Sequence, residues 1–86
     1  MLTVEYSKHF ERLYKKLSNE IKLLAEKKEQ LFKSNPFDLH LKTHKLSGRL
    51  ERYYSFSINH SHRVIFQFVS KSKVRFHEIG THDIYE

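Results

Sequence analysis

Apolar and polar positions change period twice along this chain. Leu2, Val4 and Tyr6 alternate with Thr3 and Glu5, which predicts a short strand over residues 1–6. From Ser7 the apolar positions Phe10, Leu13, Tyr14, Leu17, Ile21, Leu24, Leu31 and Phe32 fall mostly three or four apart, one face of a helix. The opposite face carries Lys8, Arg12, Lys15, Lys16, Lys22 and Lys27. Ser7 is read as an N-cap, and Ser18-Asn19 breaks the stretch into a helical hairpin. The helical signal ends at Ser34-Asn35-Pro36, because proline cannot continue a helix and pushes Asn35 toward extended geometry. Residues 37–48 read as a connection without a period of their own.

After Gly48 the period becomes two. Tyr54, Phe56 and Ile58 share one face, and Asn59-His60-Ser61 marks a turn. Val64, Phe66 and Phe68 form a second run. Ser70-Lys71-Ser72-Lys73 is the next turn, and Val74, Phe76 and Glu78 form a third run with Arg75, His77 and Ile79 opposite. The expected fold is α+β in a single domain over residues 1–86: an N-terminal strand, a helical hairpin, then an antiparallel meander of three further strands. The hairpin must cover one sheet face, since no other element can bury both apolar surfaces. Tyr53, Ser57, Arg63, Gln67, Arg75 and His77 are left on the open face, an unusually polar, aromatic and basic set.

Composition narrows the chemistry. The 86 residues include 16 Lys plus Arg against 10 Asp plus Glu, a net charge of +6 that points to nucleic acid or an acidic protein. There is no cysteine, which excludes disulfides, thiolate zinc sites and a thiol nucleophile and fits a reducing cytoplasm. No apolar run approaches the roughly 20 residues of a membrane span. A Gly-rich phosphate loop and a nucleophile-elbow pattern are both missing from the sequence. Between Lys42 and Arg63 five basic residues (Lys42, Lys45, Arg49, Arg52, Arg63) face one acid, Glu51, and tyrosines lie among them. That mixture suits single-stranded RNA, with phosphates on the cations and bases on the rings. The plain alternative is a solvated surface that keeps the protein in solution, and the helical lysines fit it well.

Histidine is abundant, with seven at positions 9, 40, 44, 60, 62, 77 and 82. Imidazole both takes and gives protons near neutral pH. Cleavage of RNA by its own 2′-hydroxyl needs that pair of steps plus a cation on the phosphoryl oxygens, and no metal or cofactor. His44, His60, His62 and His82 are the candidate proton carriers, with Arg63 as the anion clamp. His9 and His40 read as ordinary surface histidines. A competing possibility is a metal site from His60-x-His62 with His82 and Asp83.

The series Leu41-Lys42-Thr43-His44-Lys45-Leu46-Ser47-Gly48, Tyr53 to Ile58, His62-Arg63-Val64-Ile65-Phe66 and Gly80-Thr81-His82-Asp83-Ile84-Tyr85 resembles the RelE/ParE superfamily of toxins from bacterial type II toxin–antitoxin modules, notably its RelE, YoeB and YafQ branches. The resemblance covers roughly residues 36–86, and the first 35 match in pattern alone. It implies a cytoplasmic mRNA interferase that cuts in the ribosomal A site by 2′-hydroxyl attack. It also implies a cognate antitoxin, acidic where it covers the basic face and encoded next to the toxin. By position, Arg63 matches the arginine on the scissile phosphate, His82 the C-terminal catalytic histidine, Tyr85 the C-terminal aromatic and His44 a contributing histidine. His62 stands where one branch has an acid, and the glutamate of another branch has no equivalent, so the general base stays open. Lys42, Lys45, Arg49, Arg52 and Arg75 would contact RNA. Two alternatives share the fold: a ParE-like poison of DNA gyrase, and an inactive homologue that only binds antitoxin.

Overall fold

The structure, a computed structural model, describes residues 1–81. Strand β1 (Thr3–Tyr6) leads into helix α1 (Lys8–Lys15) and helix α2 (Asn19–Ser34). Four strands follow: β2 (His44–Lys45), β3 (Tyr54–Ser57), β4 (Arg63–Phe68) and β5 (Lys73–Gly80). Single 3₁₀ turns at Leu39–Leu41 and Gly48–Leu50 flank β2.

The helix boundaries follow from local chemistry. The Ser7 hydroxyl accepts the Phe10 N–H at 2.9 Å and donates to the His77 carbonyl at 2.8 Å, so one cap starts α1 and ties it to β5. Ser18 caps α2 by accepting the Ile21 N–H at 3.3 Å. Asn35 is extended at φ −157°, as the residue before proline should be. Gly48 sits at φ +67°, the left-handed region that glycine enters without a Cβ penalty.

The sheet order is β1-β5-β4-β3-β2, so the meander is antiparallel and β1 joins its far edge in parallel with β5. There are thus four strands after the hairpin, not three, because His44 and Lys45 pair with Ser55 and Tyr54 in a two-residue edge strand within the expected connection. So short a strand leaves no periodic signal. α1 and α2 cover one face. At the centre of the core Phe32, fully buried, meets Phe56, Phe66 and Phe76 at ring-centroid distances of 4.9, 4.8 and 5.3 Å.

Alternation breaks once. Ile65 opposes Glu78 but Phe66 opposes Phe76, so His77 is an extra residue in β5. This bulge reverses the parity of the strand end. Ile79 is therefore buried, 1% exposed, and Glu78 is not, the opposite of what uninterrupted alternation predicts. Tyr53 reaches across β4 to put its ring 5.1 Å from His77, whose ring also lies 6.2 Å from that of His9 on α1. Among the described residues no helix is long and apolar enough to cross a membrane.

Candidate functional site

The β3–β4 hairpin builds the site. Ile58 N–H donates to the His62 carbonyl at 2.9 Å and closes the turn. Inside it the Asn59 side-chain oxygen accepts the backbone N–H of Ser61 at 2.9 Å and of His62 at 2.8 Å. The Asn59 carbonyl stays free to accept Arg63 Nη1 at 3.2 Å, and Ser57 Oγ accepts the same nitrogen at 2.9 Å. Ser57 and Arg63 are direct cross-strand partners, which puts the hydroxyl within reach of the guanidinium. One nitrogen of Arg63 is thereby anchored, and no carboxylate among the described residues pairs with the group.

A cavity of about 370 Å³ opens beside Arg63. It is lined by Lys28, His40, Lys42, Ser57, Ile58, Asn59, His60 and Arg63. Three fixed cations and two histidines face it, and no acid does. Lys42 reaches it from a left-handed backbone at φ 52°, ψ 40°, where the 3₁₀ turn after α2 ends. A non-glycine residue in that region costs energy, and such strain tends to collect at functional sites. Asp38 accepts the backbone N–H of the lining residue His40 at 2.8 Å and meets its ring at 2.9 Å. Those bonds, the backbone one first, hold the Asp38 carboxyl below the usual carboxylate range. The arrangement is chemically an anion site, with one clamped guanidinium and two lysines that can share a phosphodiester.

Of the residues predicted from sequence, Arg63, Lys42 and His60 are brought together. Lys28, which the sequence pattern did not single out, joins them, as does His40, read from the sequence as an ordinary surface histidine. The break at Pro36 is the signal that returns the chain past α2 and carries His40 to Arg63. His44 lies beside Ser55, two residues along β3 from Ser57, with Nδ1 at 3.1 Å from the Lys42 carbonyl, and does not line this cavity. His62 is half-buried with Nδ1 3.1 Å from Ser61 Oγ. Lys45 and Arg52 line a second, shallower cavity with Glu51, Tyr54, Gln67 and Phe68, and Arg49 is exposed on the 3₁₀ turn before it. Arg75 is committed to Glu5, with nitrogen–oxygen distances of 2.6 and 2.7 Å. His82 and Tyr85, with Asp83, lie outside the described residues. Among those described, no three His, Cys, Asp or Glu side chains gather as metal ligands.

No protein-family model matches the chain, and no curated protein matches it in sequence. Solved structures do match. YafQ from E. coli strain BL21(DE3) superposes with a TM-score of 0.80 at 20% identity, covering 99% of this chain and 98% of that one. The YoeB/ParE toxin from Agrobacterium tumefaciens gives 0.79 at 16% identity, over 94% of this chain and 99% of the other. A YoeB–YefM complex from Staphylococcus aureus gives 0.77 at 22% identity, over 95% and 98%. The described residues therefore take the fold these toxins share, as the sequence resemblance implied.

Proposed function

We propose that this protein is the toxin of a type II toxin–antitoxin module and a metal-independent endoribonuclease acting on mRNA. The observation that carries the reading is Arg63, anchored by one nitrogen to Ser57 and Asn59 in a cavity lined by cations and by no acid, on a fold shared with such toxins. In the reaction the RNA 2′-oxygen attacks the adjacent phosphorus and gives up its proton to a base. The 5′-oxygen leaves and receives a proton, and the products carry a 2′,3′-cyclic phosphate and a 5′-hydroxyl. Charge grows on the non-bridging oxygens during attack, and the free side of the Arg63 guanidinium, with Lys42 and Lys28, is suited to stabilise it. His60 on the cavity rim is one proton carrier. His82 is the other, two residues beyond Gly80, the cross-strand partner of Arg63. His44, His62 and Tyr85 complete the set around the RNA, and Lys45, Arg49 and Arg52 extend the cationic track.

The S. aureus neighbour is a heterotetrameric YoeB–YefM toxin–antitoxin complex, which supports a cognate antitoxin for this chain. Its segment over the Arg63 cavity would be acidic, and salt would weaken the complex because exposed charges are screened within about 8 Å at physiological ionic strength. The test is cleavage of mRNA by the purified protein, with and without ribosomes, with end-group analysis. Wild type should leave cyclic phosphate ends. Arg63→Ala and His82→Ala should each lose about 10²–10³ in rate. Full activity in both variants overturns the assignment.

A further inference from the structure

Beside β1, three strands away from β3, the surface has the opposite character. A cavity of about 360 Å³ lies between Tyr6, α1 and α2, lined by Tyr6, Phe10, Glu11, Tyr14, Glu26 and Glu29 together with Lys15 and Gln30. Its wall is a continuous run of rings. Tyr6 stacks on Phe10 at 5.4 Å with planes 24° apart, and Phe10 on Tyr14 at 6.0 Å with planes 21° apart. Glu29 accepts the Tyr6 hydroxyl and meets Lys33 at 3.6 Å. Among the described residues Glu11 and Glu26 have no ion-pair partner, on a chain with 16 basic side chains. The two phenols record the local field: both titrate above the usual tyrosine range, first because burial disfavours the phenolate and then because Glu29 and, for Tyr14, Glu26 repel it.

Stacked rings beside the carboxylates of Glu11 and Glu26, which make no ion pair among the described residues, suit a cation. The Tyr14 ring already attracts an ammonium group, with Lys22 Nζ 5.8 Å from its centroid. Guanidinium fits better than ammonium here, because it stacks face-on against an aromatic wall while its edge N–H groups reach carboxylates. The volume is at the small end of ligand pockets, room for one long side chain whose backbone stays outside. We propose that this cavity docks an arginine side chain of a protein partner. The inference does not depend on the nuclease reading.

The probe is the tripeptide acetyl-Gly-Arg-Gly-amide, with its neutral citrulline isostere and ethylguanidinium for comparison, titrated at constant ionic strength and followed by amide and ring chemical shifts. Saturable shifts are expected at Tyr6, Phe10, Glu11 and Tyr14. Arginine should bind at least about tenfold more tightly than citrulline, and the exposed double substitution Glu11→Gln/Glu26→Gln should remove most of that difference without changing the fold. Equal binding of the citrulline peptide, shifts mapping elsewhere, or a double variant that binds like wild type overturns the proposal. Ethylguanidinium, which carries the same head group, should shift the same resonances more weakly; shifts of other residues overturn the proposal.

Discussion

Asn59 offers two substitutions that pull stability and anion binding apart. Alanine removes an acceptor that holds the Ser61 and His62 amides at 2.9 and 2.8 Å. At about 1 kcal/mol net for each bond, the loss is about 1–3 kcal/mol. A chain this size has about 4–13 kcal/mol of total stability, and each kcal/mol moves Tm by about 4–8 °C, so Asn59→Ala should melt about 4–24 °C lower. The Arg63 bond to the Asn59 main-chain carbonyl survives, so the folded variant should still bind RNA. Aspartate keeps the acceptor and therefore the turn. It adds a carboxylate one residue's reach from the guanidinium: at ~6 Å and an effective dielectric of ~20 the attraction is about 3 kcal/mol. Arg63 is only half-buried, and solvent screening reduces that to about 1–2 kcal/mol. RNA affinity should then fall about 5–30-fold in Asn59→Asp while its urea midpoint stays near wild type. Anisotropy of a labelled oligoribonucleotide, run over a salt series beside urea melts, measures both. A folded Asn59→Asp protein that binds like wild type would refute the claim that an uncompensated Arg63 is what holds the anion.

Three further outcomes follow from the packing. Phe32→Ala empties the meeting point of Phe56, Phe66 and Phe76 and should cost about 3–5 kcal/mol, read as a drop in urea midpoint; a loss below about 1 kcal/mol would mean the core closes over the gap. Gly48→Ala should cost about 1–2 kcal/mol through its left-handed φ alone, since an added Cβ meets nothing within 4 Å; an unchanged melt would show that the turn relaxes freely. The Tyr6 phenol is held above its ordinary value of 10.0, so its contribution is complete below about pH 10 and is lost as pH rises further. The stability difference between wild type and Tyr6→Phe, read from urea melts, should therefore be constant below about pH 10 and shift against wild type as pH rises further; a difference that does not change with pH would contradict the linkage.

What the sequence disclosed is what short-range chemistry decides. Ser7, Ser18 and Asn35-Pro36 mark helix ends because caps and proline act within one turn. Tyr54 and Phe56 mark a strand face because Ser55 and Ser57 alternate with them, and Val64, Phe66 and Phe68 continue the period of two. The bulge at His77 has no such mark: no glycine announces it, and it shows only in the register of β5 against β4. The parallel seat of β1 is equally silent, since it depends on where the hairpin returns the chain. Arg63 was legible as a cation on an open face. Lys28 and His40 were not, because their meeting with it depends on how α2 lies against the β3–β4 hairpin, and a helical period cannot give that angle.

The seat of β1 bears on how the molecule matures during translation. Thr3 aligns with Lys73, so the first strand has no neighbour until some 70 residues later, when the last described strand has been synthesised. That same late strand lies between β1 and β4 and supplies the partner opposite Arg63. A nascent chain still lacking it can form its helices but not a closed core, because non-local pairing must first overcome loop-closure entropy. A growing chain therefore lacks the strand that pairs with Arg63 until β5 has been made.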